Sequence, residues 1–219
     1  MSLKVIVFEE SGELLRAKIV QYEWWEAEVV GAGGGGGGAP ATGPGQGSAG
    51  GGGGGGGYSL AYGTVALLPA RTPITVGLGG DPGVGSDPNE VSHRGGDSAF
   101  GKYARGQGGR GGGGSPPSAG FDMRLGGSPG VGTKGYLNVP GQPGEHGIIG
   151  PGGKPSRGGQ GGHSHLGSGG RTPGLNGDGR SPLGGYGGGG SGASNGPDQA
   201  TVRTGGRGAS GVVIVRLYG

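Results

Sequence analysis

Cysteine is absent from the 219 residues, so neither a disulfide framework nor a thiolate metal site is open to this chain, and packing alone has to hold it. Apolar side chains are scarce. At 29% hydrophobic and 5% aromatic residues, they cannot fill a conventional core along the whole length. No stretch is long enough to span a membrane, which argues against membrane insertion. The opening apolar run from Val5 to Phe8 meets Glu9 and Glu10 at once, which argues against a signal-peptide core. These absences fit a protein made in the cytoplasm and released by assembly into a particle, and they fit an ordinary cytoplasmic protein too. Acidic residues are few outside the opening: residues 1–30 carry six Glu against Lys4, Arg16 and Lys18, while the rest holds fourteen Lys and Arg against eight acids. That mild basic bias hints at phosphate-bearing partners and no more.

What the chain has in abundance is glycine, 70 residues, with 16 prolines. Together they make about two fifths of the sequence, beyond the usual threshold for low complexity. Each glycine loses more freedom on folding than any other residue. Two outcomes are open: the tracts are loose linker, or they form a regular structure in which backbones approach where side chains are missing.

The ends of the chain differ from its middle. Leu3 to Phe8, Ala17 to Tyr22 and Trp24 to Val30 are rich in β-branched and aromatic residues and read as strands, with Ser11-Gly12 as a turn between the first two. In the third, Trp25, Ala27 and Val29 share one face and Trp24, Glu26, Glu28 and Val30 the other; Trp24 and Trp25 read as core and rim of the N-terminal sheet in preference to a docking surface. Gly63 to Pro69 and Pro73 to Gly77 read as two short strands, and Val212 to Tyr218 is the strongest strand signal of all. So apolar a terminal strand needs partners, and the segments before Gly33 are its natural ones. The boundaries that follow are 1–31 for the N-terminal strands, 32–57 for a glycine-rich insertion, 58–78 for further strands, 79–205 for a long glycine-rich region with projecting loops, and 206–219 for the closing strand.

Within the middle, Gly141, Gly144, Gly147, Gly150 and Gly153 keep a strict period of three, and shorter runs do so at Gly108, Gly111 and Gly114, at Gly159 and Gly162, and at Gly184, Gly187 and Gly190. A three-residue extended helix places such positions on one edge, where a neighbouring backbone can approach. Collagen would need an unbroken repeat and more proline. A bundle of short polyproline-II-like segments joined by turns remains.

Four blocks now stand out in order: Trp25 to Gly33, Thr72 to Gly80, Gly95 to Gly101 and Gly206 to Tyr218. They resemble the glycine-rich domain of bacteriophage tail-fibre and tail-tip proteins. The resemblance implies an all-β fold, a β-sandwich formed by the N- and C-terminal strands, with glycine-rich insertions in polyglycine-II helices. It also implies a virion protein of the tail or surface fibre, whose loops touch a bacterial surface receptor, an outer-membrane protein or a polysaccharide. Other tail-fibre or virion proteins, and a homotrimer, are implied partners. A purely structural virion part, such as a fibre joint or capsid decoration, needs the same fold and no receptor.

Enzyme chemistry lacks its inventory: four histidines, no cysteine, and no carboxylate pair set among apolar residues that would tune it. No cofactor is expected. His163 and His165 could meet at the axis of a trimer as a metal site; two solvent-facing loop histidines are the plainer reading. No phosphate-binding Gly-x-x-x-x-Gly-Lys motif occurs. Arg105 to Arg110 resembles arginine-glycine segments of RNA-binding proteins, but the repeats are few and lack interleaved aromatics, so no nucleic acid is expected. For an adhesin the contact residues are large side chains stranded between glycine blocks. The candidates are Phe121, Met123, Arg124 and Leu125; Tyr136, Leu137 and Asn138; His146, Ile148 and Ile149; and His163 and His165. Phe121 or Ile148 could instead plug the end of the bundle.

Overall fold

The computed structural model of the protein describes residues 2–87 and 91–219. Among them the fold is all-β, with fifteen strands in antiparallel pairs and three single-turn 3-10 helices. In chain order the strands are β1 (Leu3–Phe8), β2 (Gly12–Leu15), β3 (Trp24–Val30), β4 (Ser48–Ala49), β5 (Tyr58–Thr64), β6 (Arg71–Thr75), β7 (Ser98–Phe100), β8 (Ala104–Gly106), β9 (Asp122–Arg124), β10 (Gly132–Thr133), β11 (Leu137–Val139), β12 (Gly147–Ile149), β13 (Ser156–Arg157), β14 (Ser194–Asn195) and β15 (Val212–Tyr218). Two five-stranded sheets, in the orders β1-β15-β3-β5-β11 and β10-β8-β7-β6-β2, form the scaffold.

The closing strand lies where its composition demands. β15 runs between β1 and β3, with Val213 opposite Phe8 and Val29, and Val215 opposite Ile6 and Ala27. Alternation turns Val213, Val215 and Leu217 inward, all fully buried beside Trp25, Ala27 and Val29, and each such burial stabilises by about 1.5–3 kcal/mol. The same core takes Leu14, Ile74, Phe100 and Ala104 from the second sheet. The Trp25 ring lies 5.0 Å from Phe100 and 5.2 Å from Tyr103, centroid to centroid, while Trp24 is exposed at the rim.

Some expected strands differ. Gly12, expected in a turn, instead opens β2, a strand not read from the sequence; β2 joins β6, while β1 joins β15 in the other sheet. Ala17 to Tyr22 is not a strand, because it crosses from one sheet to the other and has no neighbour to pair with. It coils through a 3-10 turn at Arg16–Lys18, and the Arg16 guanidinium donates to the carbonyls of Ala66 and Leu68, both at 2.9 Å. The segment from Gly63 to Pro69 is likewise a strand end followed by a 3-10 turn at Val65–Leu67. Val65 and Leu68 both point into the core while Leu67 faces solvent, a spacing of three that suits a 3-10 turn and not a pleat. Within 79–205 the chain returns to the sheets as β7, β8, β10 and β11.

Between the sheets and the small outlying strands, the glycine segments form neither strand ladders nor internally bonded helices. Residues 50–57 show how their backbones are satisfied. The N–H groups of Gly50, Gly53 and Gly56 donate to the carbonyls of Ala193, Gly190 and Gly187; those of Gly51, Gly54 and Gly57 to Gly113, Arg110 and Gln107; those of Gly52 and Gly55 to Glu145 and Gln142, all at 2.8–2.9 Å. Its carbonyls accept in the same rhythm: Gly31, Gly34 and Gly37 donate to Gly57, Gly54 and Gly51, Gly127 and Gly130 to Gly52 and Gly55, and Gly159 and Gly162 to Gly50 and Gly53. Six neighbouring segments therefore surround one backbone, each reached at every third residue, and every N–H of the run is paired. Of the five glycines in strict period, Gly141, Gly144 and Gly147 back onto this run, whereas Gly150 and Gly153 belong to a tight turn.

Candidate functional site

The glycine segments leave one end of the scaffold and return to it. Residues 31–38 continue β3 and residues 50–57 lead into β5, so the turn between them lies at the far end. By the same connection 114–125, 148–157 and 194–202 lie there too. The loops are stitched together at that end: Gly47 donates to Ser118 at 2.8 Å, Gly152 to Ala119 at 2.8 Å and Thr42 to Gln199 at 2.8 Å. β4 pairs with β14, and β12 sits between β9 and β13. Buried side chains lock the backbone beneath: Ser156 Oγ donates to the Ser48 carbonyl at 2.7 Å, and Asn195 Nδ2 to those of Pro40 at 3.0 Å and Thr201 at 2.8 Å.

This arrangement sorts the candidate residues. Phe121, Met123, Arg124, Leu125, His146, Ile148 and Ile149 come together at the far end, because Met123 pairs with Ile148 and Arg124 with Gly147 across β9 and β12. Phe121 is 67% exposed, and Met123 and Leu125 are exposed as well. Ile149 is 0% exposed: it fills the interior of the loop cluster and is not available to a receptor. Ile148 is half-buried. Arg124 is turned onto Asp122 at 2.8 Å, and the His146 imidazole accepts the Gly126 N–H at 3.0 Å through Nδ1. Leu175 and Val202, exposed in neighbouring loops, were not among the candidates. Their signal was a single apolar residue among Gly, Asn, Asp and Thr.

The other candidates lie at the scaffold end. Tyr136 and Leu137 are exposed beside β5, where Leu137 pairs with Leu60. Asn138 is structural: its Oδ1 accepts from Ser59 Oγ at 2.9 Å and Gly135 N–H at 3.2 Å, and its Nδ2 donates to the Gly135 carbonyl at 2.8 Å. His163 Nδ1 accepts the Gly169 N–H at 3.3 Å, whereas the His165 ring lies against Tyr58 with centroids 4.2 Å apart. The two imidazoles thus have separate roles, and no group of three or more metal-ligating side chains occurs among the described residues. No helix there is long and apolar enough to cross a membrane.

The scaffold end also explains the Gly95 to Gly101 block. Asp97 bonds Arg94 at 2.6 Å, the Gly108 N–H at 2.9 Å and Arg105 more closely still. Burial pushes its carboxyl up, but the hydrogen bonds from Arg105 and Gly108 and the charges of Arg94 and Arg105 outweigh this and hold it below the ordinary carboxylate range. Arg105 is therefore committed to Asp97, with its side chain still half-exposed. Ser98 Oγ accepts the Gly77 N–H at 3.0 Å, and Phe100 packs on Trp25. On β3 the carboxylates of Glu26 and Glu28 both engage Arg216, and burial, with Glu28 close by, pushes the Tyr58 phenol up to about 12.

No curated protein matches the chain. The family model described as "Glycine-rich domain" matches residues 17–218, a span that takes in β3, β15 and every glycine segment between them, and the chain belongs to that family.

Proposed function

We propose that the protein is a receptor-binding adhesin of a bacteriophage tail fibre or tail tip, whose loops contact the host surface. On this reading the two sheets are the layers of a sandwich, and the glycine segments are polyglycine-II helices standing on it. The three-residue rhythm of the hydrogen bonds supports the helices, and a core fed by both sheets supports the sandwich. At about 3.1 Å per residue, an eight-residue segment such as 50–57 spans roughly 25 Å. The observation that carries the function is the convergence of separate loops at the end away from the scaffold, with Phe121, Met123, Leu175 and Val202 exposed on a backbone held by buried bonds. Exposed aromatic and apolar groups on a rigid support suit a porin loop or a sugar face.

The test is adsorption of the purified protein to a panel of bacterial strains. The double variant Phe121→Ser with Met123→Ser, which alters exposed side chains and leaves the backbone bonds of the loop in place, is expected to abolish or redirect adsorption with the thermal midpoint nearly unchanged; unaltered adsorption would overturn the adhesive role. A second reading, a purely structural virion component, is favoured by Leu3, Val5 and Val7. They lie exposed along β1, an edge strand that a neighbouring fibre protein would cover. Absence of adsorption to every strain, with the chain buried inside the particle, selects that reading.

A further inference from the structure

At the scaffold end, the turn joining β10 to β11 stands beside β5 and the turn between β7 and β8. A cleft of about 460 Å³ opens between them, within the range of small-molecule sites, about 300–1,000 Å³. It is lined by Trp25, Ala61, Tyr62, Tyr103 and Tyr136. The Tyr62 and Tyr136 rings pack against each other, 5.3 Å apart at 59°, and the residues are 57% and 79% exposed, so together they offer aromatic surface to solvent. Lys102 and Lys134 line the same cleft. Lys102 Nζ lies 5.6 Å from the Tyr103 ring centroid, and among the described residues neither lysine joins an ion pair, every one of which is made by arginine.

The support is rigid. Tyr136 N–H donates to the Leu60 carbonyl at 2.7 Å, Asn138 closes the turn, and Lys134 holds φ at +69°, where glycine would be unstrained. Two aromatic faces with two unpaired ammonium groups in one cleft satisfy a ring with apolar faces and a negative substituent.

We propose that this cleft binds a saccharide carrying a carboxylate, its ring against Tyr62 and Tyr136 and its charge between Lys102 and Lys134. The site is separate from the far-end loops and does not depend on the adhesive reading. The experiment is calorimetric titration of the full chain at low salt with trigalacturonic acid and, as neutral control, maltotriose. Trigalacturonate is expected to bind at least about tenfold more tightly than maltotriose, a difference of about 1.4 kcal/mol. Lys134→Gly, which removes the charge while relaxing the backbone, and Lys102→Ala should each weaken it about tenfold, and Tyr136→Ala should weaken it comparably. Phe121→Ala at the far end should leave it unchanged, and thermal midpoints will confirm that the variants fold. Failure of trigalacturonate to bind, equal affinity for both sugars, or binding indifferent to the cleft variants overturns the proposal.

Discussion

Asp97 ties its own segment to residues 105–108 with one carboxylate, through Arg94, Arg105 and the Gly108 N–H. Charge-assisted bonds of this kind are worth about 1.5–3 kcal/mol each when shielded, and the half-exposed guanidiniums lower that. Asp97→Asn is therefore expected to cost about 1–2 kcal/mol in urea unfolding at neutral pH. The sign with pH follows from the lowered folded pKa. The stabilisation is complete at neutral pH, declines once pH drops through the unfolded carboxyl value of about 3.9, and is gone below the folded value. The wild-type advantage over Asp97→Asn should shrink across that window; a difference that is constant down to the acid limit would show that charge plays no part. Ile149 presents the opposite case, an apolar side chain fully enclosed among loops. Ile149→Ala is expected to cost about 2–5 kcal/mol and to raise amide exchange at the far end first.

At the scale of the element, the glycine segments behave as a packed solid and not as linker. A Cβ on Gly53 would fall directly on the carbonyl of Gly34, whereas Gly184 has nothing within 4 Å of that position. Gly53→Ala must push two backbones apart and is expected to cost about 1–3 kcal/mol or more. Gly184→Ala meets open space and should be neutral or stabilising by about 0.4–1 kcal/mol, because it restricts the unfolded chain. Thermal unfolding of the pair checks both, and equal effects would show that close backbone approach does not govern the bundle. The strands obey a different logic. In β15 and β3 the inward side chains do the packing and alternation fixes the register, since a one-residue slip would turn Val213, Val215 and Leu217 out to solvent.

For the whole molecule, the two kinds of packing depend on each other. The sheets anchor the ends of the glycine segments, and loop closure within a fixed scaffold offsets part of the entropy that so many glycines lose. Amide exchange measures this directly. Residues 50–57, with every N–H bonded to a neighbouring segment, are expected to exchange slowly and together with β3 and β15, as one cooperative unit. Fast exchange in the glycine run alongside protected strands would break that unit in two.

The sequence by itself determined the all-β class and the pairing of the closing strand with the opening ones, because alternation of large side chains is a local pattern; which tryptophan is core and which is rim was settled by burial in the fold. It also carried the period of three, since glycine every third residue is visible without coordinates. Only the tertiary structure decided which segments become neighbours, since a glycine backbone bears no side chain to specify a partner and the choice rests on hydrogen bonds between distant residues. The same holds for the candidate site. Exposed islands such as Phe121 and Tyr136 look alike along the chain, yet the direction in which each segment leaves the sheets puts one at the far end and the other beside the scaffold. Ile149 differs from Ile148 by a single position, and the pleat of β12 alone sends it inside.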